Sequence, residues 1–312
     1  MSGSSPWFPR AMIVAGCAVL GLSGASPAQE VIVYESTVLV NSATTWDWLA
    51  VRAEDRQNPY ANPSYWYRTV GTVTVNAPLT VVNSVTVRGG PTATYGTPPN
   101  TQTLAAAGGI VNLVGGTLTT SQLDLTGPGV INQNGGAYSV GQLNLGGGAT
   151  LTYGLNDTTS KTLYVDGGAV LSLDRNLTLS DVIRIGMYRR GPATIRTNGR
   201  TISSAGKLEI DDNSVIDRSS GGSLAANWFE VDASALDIRP GDVFNPTPGT
   251  TNYVGSGGSV TYSGGSMPGR SGSIVQAGGA YAADAWPVLA RRMTGVRPGG
   301  ANQEGAIGRL IL

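Results

Sequence analysis

Pairs of apolar residues that flank one variable residue recur at a nearly constant spacing along the middle of the chain. Such two-residue alternation is typical of a β-strand with one buried side. The first members of successive pairs are separated by 19, 19, 20, 20, 20, 25 and 21 residues. The pairs are Val85/Val87, Leu104/Ala106, Leu123/Leu125, Leu143/Leu145, Leu163/Val165, Ile183/Ile185, Leu208/Ile210 and Phe229/Val231. A period this regular predicts a structural repeat with one such strand in every coil.

A second apolar position follows eight residues after the first in five of the units, namely at Ala93, Ile131, Leu151, Leu171 and Ile216. Glycine pairs lie between the two positions, as at Gly89-Gly90, Gly146-Gly147 and Gly167-Gly168, and glycine accepts the positive φ of a sharp corner. Coils of this kind bury their apolar sides only by stacking at the sheet spacing of about 4.8 Å. The predicted fold is therefore an all-β parallel β-helix, or solenoid, with coils of about 20 residues.

The residue between the members of each pair tests this register, because it should face solvent and vary freely. The residues at this position are Thr86, Ala105, Asp124, Asn144, Tyr164, Arg184, Glu209 and Glu230. They share no apolar character, as expected of an outward column. A β-sandwich built from hairpins is the second choice, since it gives no reason for a constant period.

Repeats such as residues 142–151, Gln-Leu-Asn-Leu-Gly-Gly-Gly-Ala-Thr-Leu, resemble those of right-handed parallel β-helix proteins, in particular bacterial autotransporter passengers and pectate-lyase-like solenoids. The resemblance covers about residues 71 to 264 and implies a secreted or surface protein. One departure concerns the C-terminus. Autotransporters end in a membrane barrel of many strands, and from the number of residues after Pro240 no such barrel is expected here.

The two ends of the chain differ in composition from the repeat. Arg10, an apolar stretch from Ala11 to Leu22 and small residues up to Ala28 predict a signal peptide over residues 1–28. A lipoprotein box ending at Cys17 is the weaker alternative, because most of the apolar stretch follows the cysteine. The predicted domains are then a capping segment at 29–70, the β-helix at 71–264, and a Gly- and Pro-rich cap or tether at 265–312 in which residues 282–293 favour a short helix.

Composition narrows the chemistry that this chain can perform. Twenty Lys and Arg balance twenty Asp and Glu, without a dense basic run, which argues against nucleic acid as a partner. The apolar leader is too short for a stable membrane span, so none is expected in the mature chain. The chain contains no His, which excludes Ser-His-Asp and Cys-His catalysis and zinc sites of ordinary composition. A secreted, periplasmic or cell-surface location is expected, without a cofactor.

Carboxylates are the remaining candidates for catalysis. By the register, Asp211 and Asp232 follow the second apolar residue of adjacent coils and should lie about 5 Å apart. Two such carboxylates could act as an acid and base pair or bind Ca²⁺. The simpler interpretation is a solvated corner, where Asp suits the turn geometry.

Carbohydrate binding has two further sets of candidates. Trp and Tyr rings stack on sugars, which makes Trp46, Trp48, Trp66 and Tyr67 the predicted contacts, although a hydrophobic cap over the first coil explains them as well. Arginine suits acidic glycans. The group formed by Arg184, Arg189, Arg190, Arg196 and Arg200 could serve that purpose or pair with nearby acids.

Three functions remain open. The first is a non-enzymatic, adhesin-like or matrix-like surface solenoid whose partners are polysaccharides or cell-surface components. The second is a carbohydrate-active β-helix enzyme or glycan-binding protein that uses Asp residues on adjacent coils. The third, an ice-binding surface, needs stacked rows of Thr, and Thr-x-Thr pairs such as Thr72/Thr74 and Thr150/Thr152 do not recur in register.

Overall fold

The computed structural model describes residues 12–14, 18–19, 30–58, 60, 65–90, 92–95, 101–186, 190–245, 250–263, 273–276 and 280–283. Every regular element within these ranges is a β-strand, and most pair in parallel, so the predicted solenoid is confirmed. The chain forms two compact units. The N-terminal unit comprises residues up to Asn144 together with Asn156–Thr158, and the C-terminal unit comprises Leu145–Leu155 and the residues from Thr159 onward.

The N-terminal unit stacks its coils through two parallel sheets. One sheet orders its strands as Met12–Val14, Glu30–Val33, Thr44–Asn58, Leu79–Gly90, Thr117–Thr126 and Ala137–Gly146. The other contains Ala18–Val19, Thr37–Val40, Thr72–Val75, Ile110–Leu113 and Val130–Gln133. Val31, Leu49, Val85 and Leu123 are successive register partners and are at most 2% exposed. Because successive side chains of a strand point to opposite sides, every second residue joins a buried column of branched side chains.

Two insertions lengthen the coils of this unit. Leu49 precedes its register partner Val85 by 36 residues, and Val85 precedes Leu123 by 38. The first insertion is an antiparallel pair of Ala53–Asn58 with Tyr65–Val70. In the second, Ala93–Tyr95 pairs with Gln102–Leu104, and Ala107–Gly108 pairs with Gly89–Gly90.

One step of the predicted register, from Val85 to Leu104, is wrong because of the second insertion. Leu104 is only half-buried in the hairpin, Ala93 lies opposite it, and Ala106 is exposed, so none belongs to a core column. Gly89-Gly90 ends a long strand and is not a coil corner. The error has a simple cause: a coil of 38 residues, halved, imitates the period of 19. Parallel coils also begin before residue 71, because Glu30–Val33 already pairs with Thr44–Asn58 inside the segment predicted as a cap.

The C-terminal unit has three faces. Its long face contains Thr158–Val165, Ile183–Ile185, Lys207–Ile210, Trp228–Val231, Thr251–Val254 and Ser273–Gln276. Its second face contains Thr150–Tyr153, Val170–Leu173, Thr194–Arg196 and Val215–Asp217, then, as a separate sheet, Ala235–Ile238, Ser259–Tyr262 and Ala280–Ala283. Its third face contains Leu177–Leu179, Ile202–Ser204, Leu224–Ala226 and Val243–Phe244.

The core of this unit follows the predicted columns. Leu163, Ile183, Leu208 and Phe229 are register partners, none more than 2% exposed. The Phe229 ring meets Phe244 of the third face edge-on at 5.2 Å between centroids. At the corner before Val170–Leu173, Gly167 and Gly168 have φ of 58° and 82°, as the glycine pairs predict.

Several predictions concern residues that the structure describes only in part. The signal-peptide cleavage site after Ala28 and Cys17 lie outside the described residues, although Met12–Val14 and Ala18–Val19 form strands. Of the predicted helix at residues 282–293, the first two residues belong to the strand Ala280–Ala283, and the remainder lies outside the described residues. The signal peptide and the C-terminal cap or tether therefore stay predictions.

Candidate functional site

A column of polar and aromatic side chains runs across the outward side of the long face in the C-terminal unit. Tyr164, Arg184, Glu209, Glu230 and Tyr253 are successive register partners there. Parallel in-register stacking places equivalent residues about 4.8 Å apart, so each charge in the column is within reach of the next. The first four are the residues that the sequence predicted to face outward.

Lys207 connects the acidic residues of this column. Its Nζ lies 2.7 Å from Oε2 of Glu209 and 2.7 Å from Oε2 of Glu230, and 4.9 Å from the ring centroid of Trp228. Burial lowers the pKa of Lys207, but the hydrogen bonds to the two glutamates outweigh it and raise that pKa above its ordinary value. Arg184 adds an Nε to Oε2 contact of 3.1 Å with Glu209. The charges of this column therefore neutralise one another in pairs.

Asp211 and Asp232 flank the column on adjacent coils, and both are half-buried. The N–H of Asp232 donates to the carbonyl of Ile210, which fixes the two aspartates as neighbours in the stack. Burial raises the pKa of Asp232, and Glu230, Asp211 and Glu209 raise it further against the opposing effect of Lys207. Asp232 is thus an acid that holds its proton more tightly than usual.

No group of three or more acidic, His or Cys side chains within the described residues could hold a metal ion. Calcium binding at Asp211 and Asp232 stays a prediction.

Substituting Asp232 tests whether burial and the neighbouring acids make its ionised form unfavourable in the folded protein. With a raised folded-state pKa, ionised Asp232 destabilises the fold at neutral pH, so Asp232→Asn should raise the melting temperature there. The gain should vanish as the pH falls through the raised pKa, because wild-type Asp232 then becomes protonated. Asp217→Asn is the control with opposite sign, since the backbone N–H of Ser219 lowers the pKa of Asp217. Melting curves that show the same sign for both variants would contradict the assignment.

The predicted aromatic contacts occupy different environments in the N-terminal unit. Trp46 is 2% exposed and packs in the core, so its ring has no free face for a sugar. Trp48 lies outward on the sheet and is 48% exposed. Trp66 and Tyr67 belong to the first insertion and are half-buried, with the Trp66 ring stacked on Tyr95 at 4.1 Å between centroids. Trp48 is therefore the predicted contact with the most accessible ring.

An ion pair that sequence reasoning missed holds the two insertions together. The Arg68 guanidinium hydrogen-bonds to the carboxylate of Asp55 in the first insertion, with 2.8 Å from Nη2 to Oδ2. Its Nη1 donates to the carbonyls of Gly90 and Ala105 at 2.9 and 2.6 Å. These two residues lie just before and just after the hairpin of the second insertion. The Tyr95 hydroxyl also donates to Asp55, and the hydrogen bond from Arg68 is the largest of the effects that lower the pKa of that carboxyl.

A second missed pair lies in the core of the C-terminal unit. Arg218 Nη1 lies 2.7 Å from both carboxylate oxygens of Asp242, and the two side chains are 3% and 0% exposed. The same carboxylate accepts the backbone N–H of Leu224 at 2.7 Å and of Arg239 at 2.8 Å. Every lone pair of a fully desolvated carboxylate is thereby used, as a buried charge requires.

The predicted arginine group is dispersed. Arg184 contacts Glu209, and Arg190 lies 3.6 Å from Asp166 while remaining 68% exposed. Arg189 lies outside the described residues. These pairs agree with the interpretation in which the arginines meet nearby acids.

Comparison with protein-family models found no match, and comparisons with curated proteins and with solved structures found none either. The resemblance to autotransporter passengers and pectate-lyase-like proteins therefore extends only to the parallel solenoid. Within the described residues, no helix has the length and apolar character needed to cross a membrane.

Proposed function

We propose that this chain is an exported structural or adhesin-like solenoid that works at the cell surface or outside the cell without catalysing a reaction. The observation that carries the proposal is the pairing of charges on the long face. Lys207 bridges Glu209 and Glu230, and Arg184 contacts Glu209. A column whose charges are already paired is suited to display and lateral contact, whereas catalysis on a sugar needs carboxylates free to exchange protons.

Polysaccharides and cell-surface components are the proposed partners. Trp48 offers an outward ring that is 48% exposed, and the two insertions project further aromatic side chains from the N-terminal unit. Aromatic faces of this kind contribute stacking area with little loss of conformational freedom.

A screen of the purified mature chain against polysaccharides tests the proposal, with binding and product release measured separately. We expect retention on at least one polysaccharide, reduced several-fold by Trp48→Ala, and no release of oligosaccharides. Val82→Ala is a matched control, because Val82 is an equally exposed apolar residue at 48%. Release of oligosaccharides would overturn the non-enzymatic proposal.

The alternative is a carbohydrate-active enzyme, and the raised pKa of Asp232 beside Asp211 is the observation that favours it. A carboxyl that holds its proton more tightly than usual, with a second carboxyl on the adjacent coil, resembles the carboxylate pairs that glycoside hydrolysis uses. Under this alternative, oligosaccharide release should be abolished by Asp232→Asn and by Asp211→Asn. Release that survives both substitutions would remove these residues from the mechanism.

A further inference from the structure

One outward sheet surface of the N-terminal unit combines an exposed aromatic ring with positive charge. Trp48 and Arg52 both belong to the strand Thr44–Asn58. They alternate with the buried Leu49 and Val51, which places both side chains on the solvent side. Four positions separate them, or roughly 13 Å along a strand at about 3.3 Å per residue. A ligand that contacts both must therefore be longer than one sugar ring.

The adjacent coil adds a second arginine at one end of this surface. Arg88 is the register partner of Arg52, and Ser84 is the register partner of Trp48. Arg88 is exposed, and it forms no ion pair with any residue that the structure describes. Two guanidinium groups that start from backbones about 4.8 Å apart repel each other, and an anion bound beside them removes that repulsion.

The acids near these arginines do not balance them. Nη2 of Arg52 lies 2.6 Å from Oε1 of Glu54, and Arg56 lies 3.5 Å from both Glu54 and Glu35. The Nε of Arg52 is buried and has no hydrogen-bond partner in the described part of the chain. With Arg88 included, three arginines face two glutamates, so this end of the surface has a net positive charge.

Small side chains form the surface between the ring and the arginines. Ala50 and its register partner Thr86 lie midway, and Ser84 lies beside Trp48. The hydroxyls of Ser84 and Thr86 hydrogen-bond to no other residue within the described ranges. They are therefore available to the hydroxyl groups of a sugar. Because these side chains are short, an elongated ligand can lie along the surface.

Two carboxylates border the surface and give it a direction. Glu30 is the register partner of Trp48 on the preceding coil, and Asp124 is the register partner of Thr86 on the following coil. The oxygens of Asp124 accept hydrogen bonds from neighbouring side-chain amides. Glu30 repels an anionic group at the Trp48 end, so the anionic group of a ligand is directed toward the arginines.

From this arrangement we infer that these two coils bind an acidic oligosaccharide segment of a partner polysaccharide. A sugar ring stacks on Trp48, ring hydroxyls bind Ser84 and Thr86, and a carboxylate or sulfate binds the guanidinium of Arg88. The planar guanidinium matches both anions, and the indole supplies an apolar face to the sugar. The inference rests on the proposed function, for which it specifies the class of polysaccharide.

An array of acidic oligosaccharides tests the inference, if each is paired with an uncharged counterpart. Uronate oligosaccharides are paired with their methyl esters, and sulfated oligosaccharides with their desulfated forms. We expect at least one acidic member to bind at least tenfold more tightly than its counterpart, and its affinity to fall as the salt concentration rises. The pair that shows this difference identifies the anion as carboxylate or sulfate.

Single substitutions assign the binding to this surface. Trp48→Ala and Arg88→Gln should each weaken binding of the retained acidic saccharide at least tenfold, and Arg88→Gln should also remove most of the preference over the uncharged counterpart. Arg200→Gln is the matched control, because Arg200 is an exposed arginine of the C-terminal unit and its loss changes the net charge equally. Circular dichroism verifies that each variant is folded.

Three results would overturn the inference. One is equal binding of acidic and uncharged saccharides, or equal effects of Arg88→Gln and Arg200→Gln, and the proposed function would then stand without an acidic ligand. Another is equally tight binding of polyglutamate, a polyanion without sugar rings. The third is an array from which no acidic saccharide is retained. Release of shortened saccharides after binding that depends on Arg88 would instead contradict the non-enzymatic proposal and leave this site in place.

Discussion

Asp242→Asn should lower the free energy of unfolding by about 3–5 kcal/mol, the usual cost of breaking a fully buried ion pair by removing one partner. Both side chains of the pair with Arg218 are at most 3% exposed, so solvent cannot replace the lost carboxylate. The amide of Asn cannot neutralise the guanidinium, and one of its two terminal atoms is a donor where Leu224 and Arg239 both need an acceptor. Chemical denaturation followed by circular dichroism measures the change.

Two further variants separate buried charge from general damage. Asp237→Asn removes the partner of Arg239 in an ion pair whose side chains are 39% and 45% exposed, and should cost no more than about 1 kcal/mol. Combining Arg218→Met with Asp242→Asn should recover part of the lost stability, because the unpaired guanidinium is removed while Oδ1 of the asparagine still accepts one of the two backbone N–H groups. A loss below about 1 kcal/mol for Asp242→Asn, or no recovery in the double variant, would contradict this account.

The core columns could be predicted from sequence because burial imposes a simple period on them. Leu123, Leu143 and Leu163, on which the register was built, are each 0% exposed. A stacked coil gives each inward position one environment, and any break in apolar character there is costly. The outward column at Tyr164, Arg184 and Glu209 followed from the same alternation.

The insertions of the N-terminal unit could not be placed from the period alone. The 38 residues from Val85 to Leu123 contain Leu104 near the midpoint, so an inserted hairpin imitated one ordinary coil. Turn-forming Asn58-Pro59 and Asn62-Pro63, flanked by alternating residues, do indicate a hairpin after Thr44–Asn58. The contacts of Arg68 with Asp55 join residues 13 positions apart in a geometry that no local pattern encodes.

The second face of the C-terminal unit is divided into two sheets between Val215–Asp217 and Ala235–Ile238, and the sequence contains a signal of this division that the period alone does not show. Arg218 follows Ile216 by two residues and therefore occupies an inward position, where the two preceding coils have the uncharged residues Leu173 and Thr197. A charge at an inward position needs a buried partner, and Asp242 on the next coil supplies it. A charged residue in an inward column is thus an indication of altered sheet geometry nearby.

Gly186→Ala should destabilise the C-terminal unit by about 2–5 kcal/mol, combining backbone strain of about 1–2 kcal/mol with an overpacking cost of about 1–3 kcal/mol. Gly186 has φ of 80°, and a Cβ built there would lie 2.1 Å from the carbonyl oxygen of Asp211 and 2.1 Å from Oγ of Ser214. Backbone of the adjacent coil cannot move aside without breaking the ladder from Asp211 to Ile185. Thermal and chemical denaturation measure the loss.

Gly148→Ala is the matched control for the strain component, because Gly148 has φ of 78° and nothing lies within 4 Å of its added Cβ. It should cost only about 1–2 kcal/mol, the penalty of the left-handed conformation by itself. The difference between the two variants then measures how tightly successive coils are packed at Gly186. Equal losses would mean that the coils separate there without cost, which is incompatible with a ladder that fixes the register of Ile183, Leu208 and Phe229.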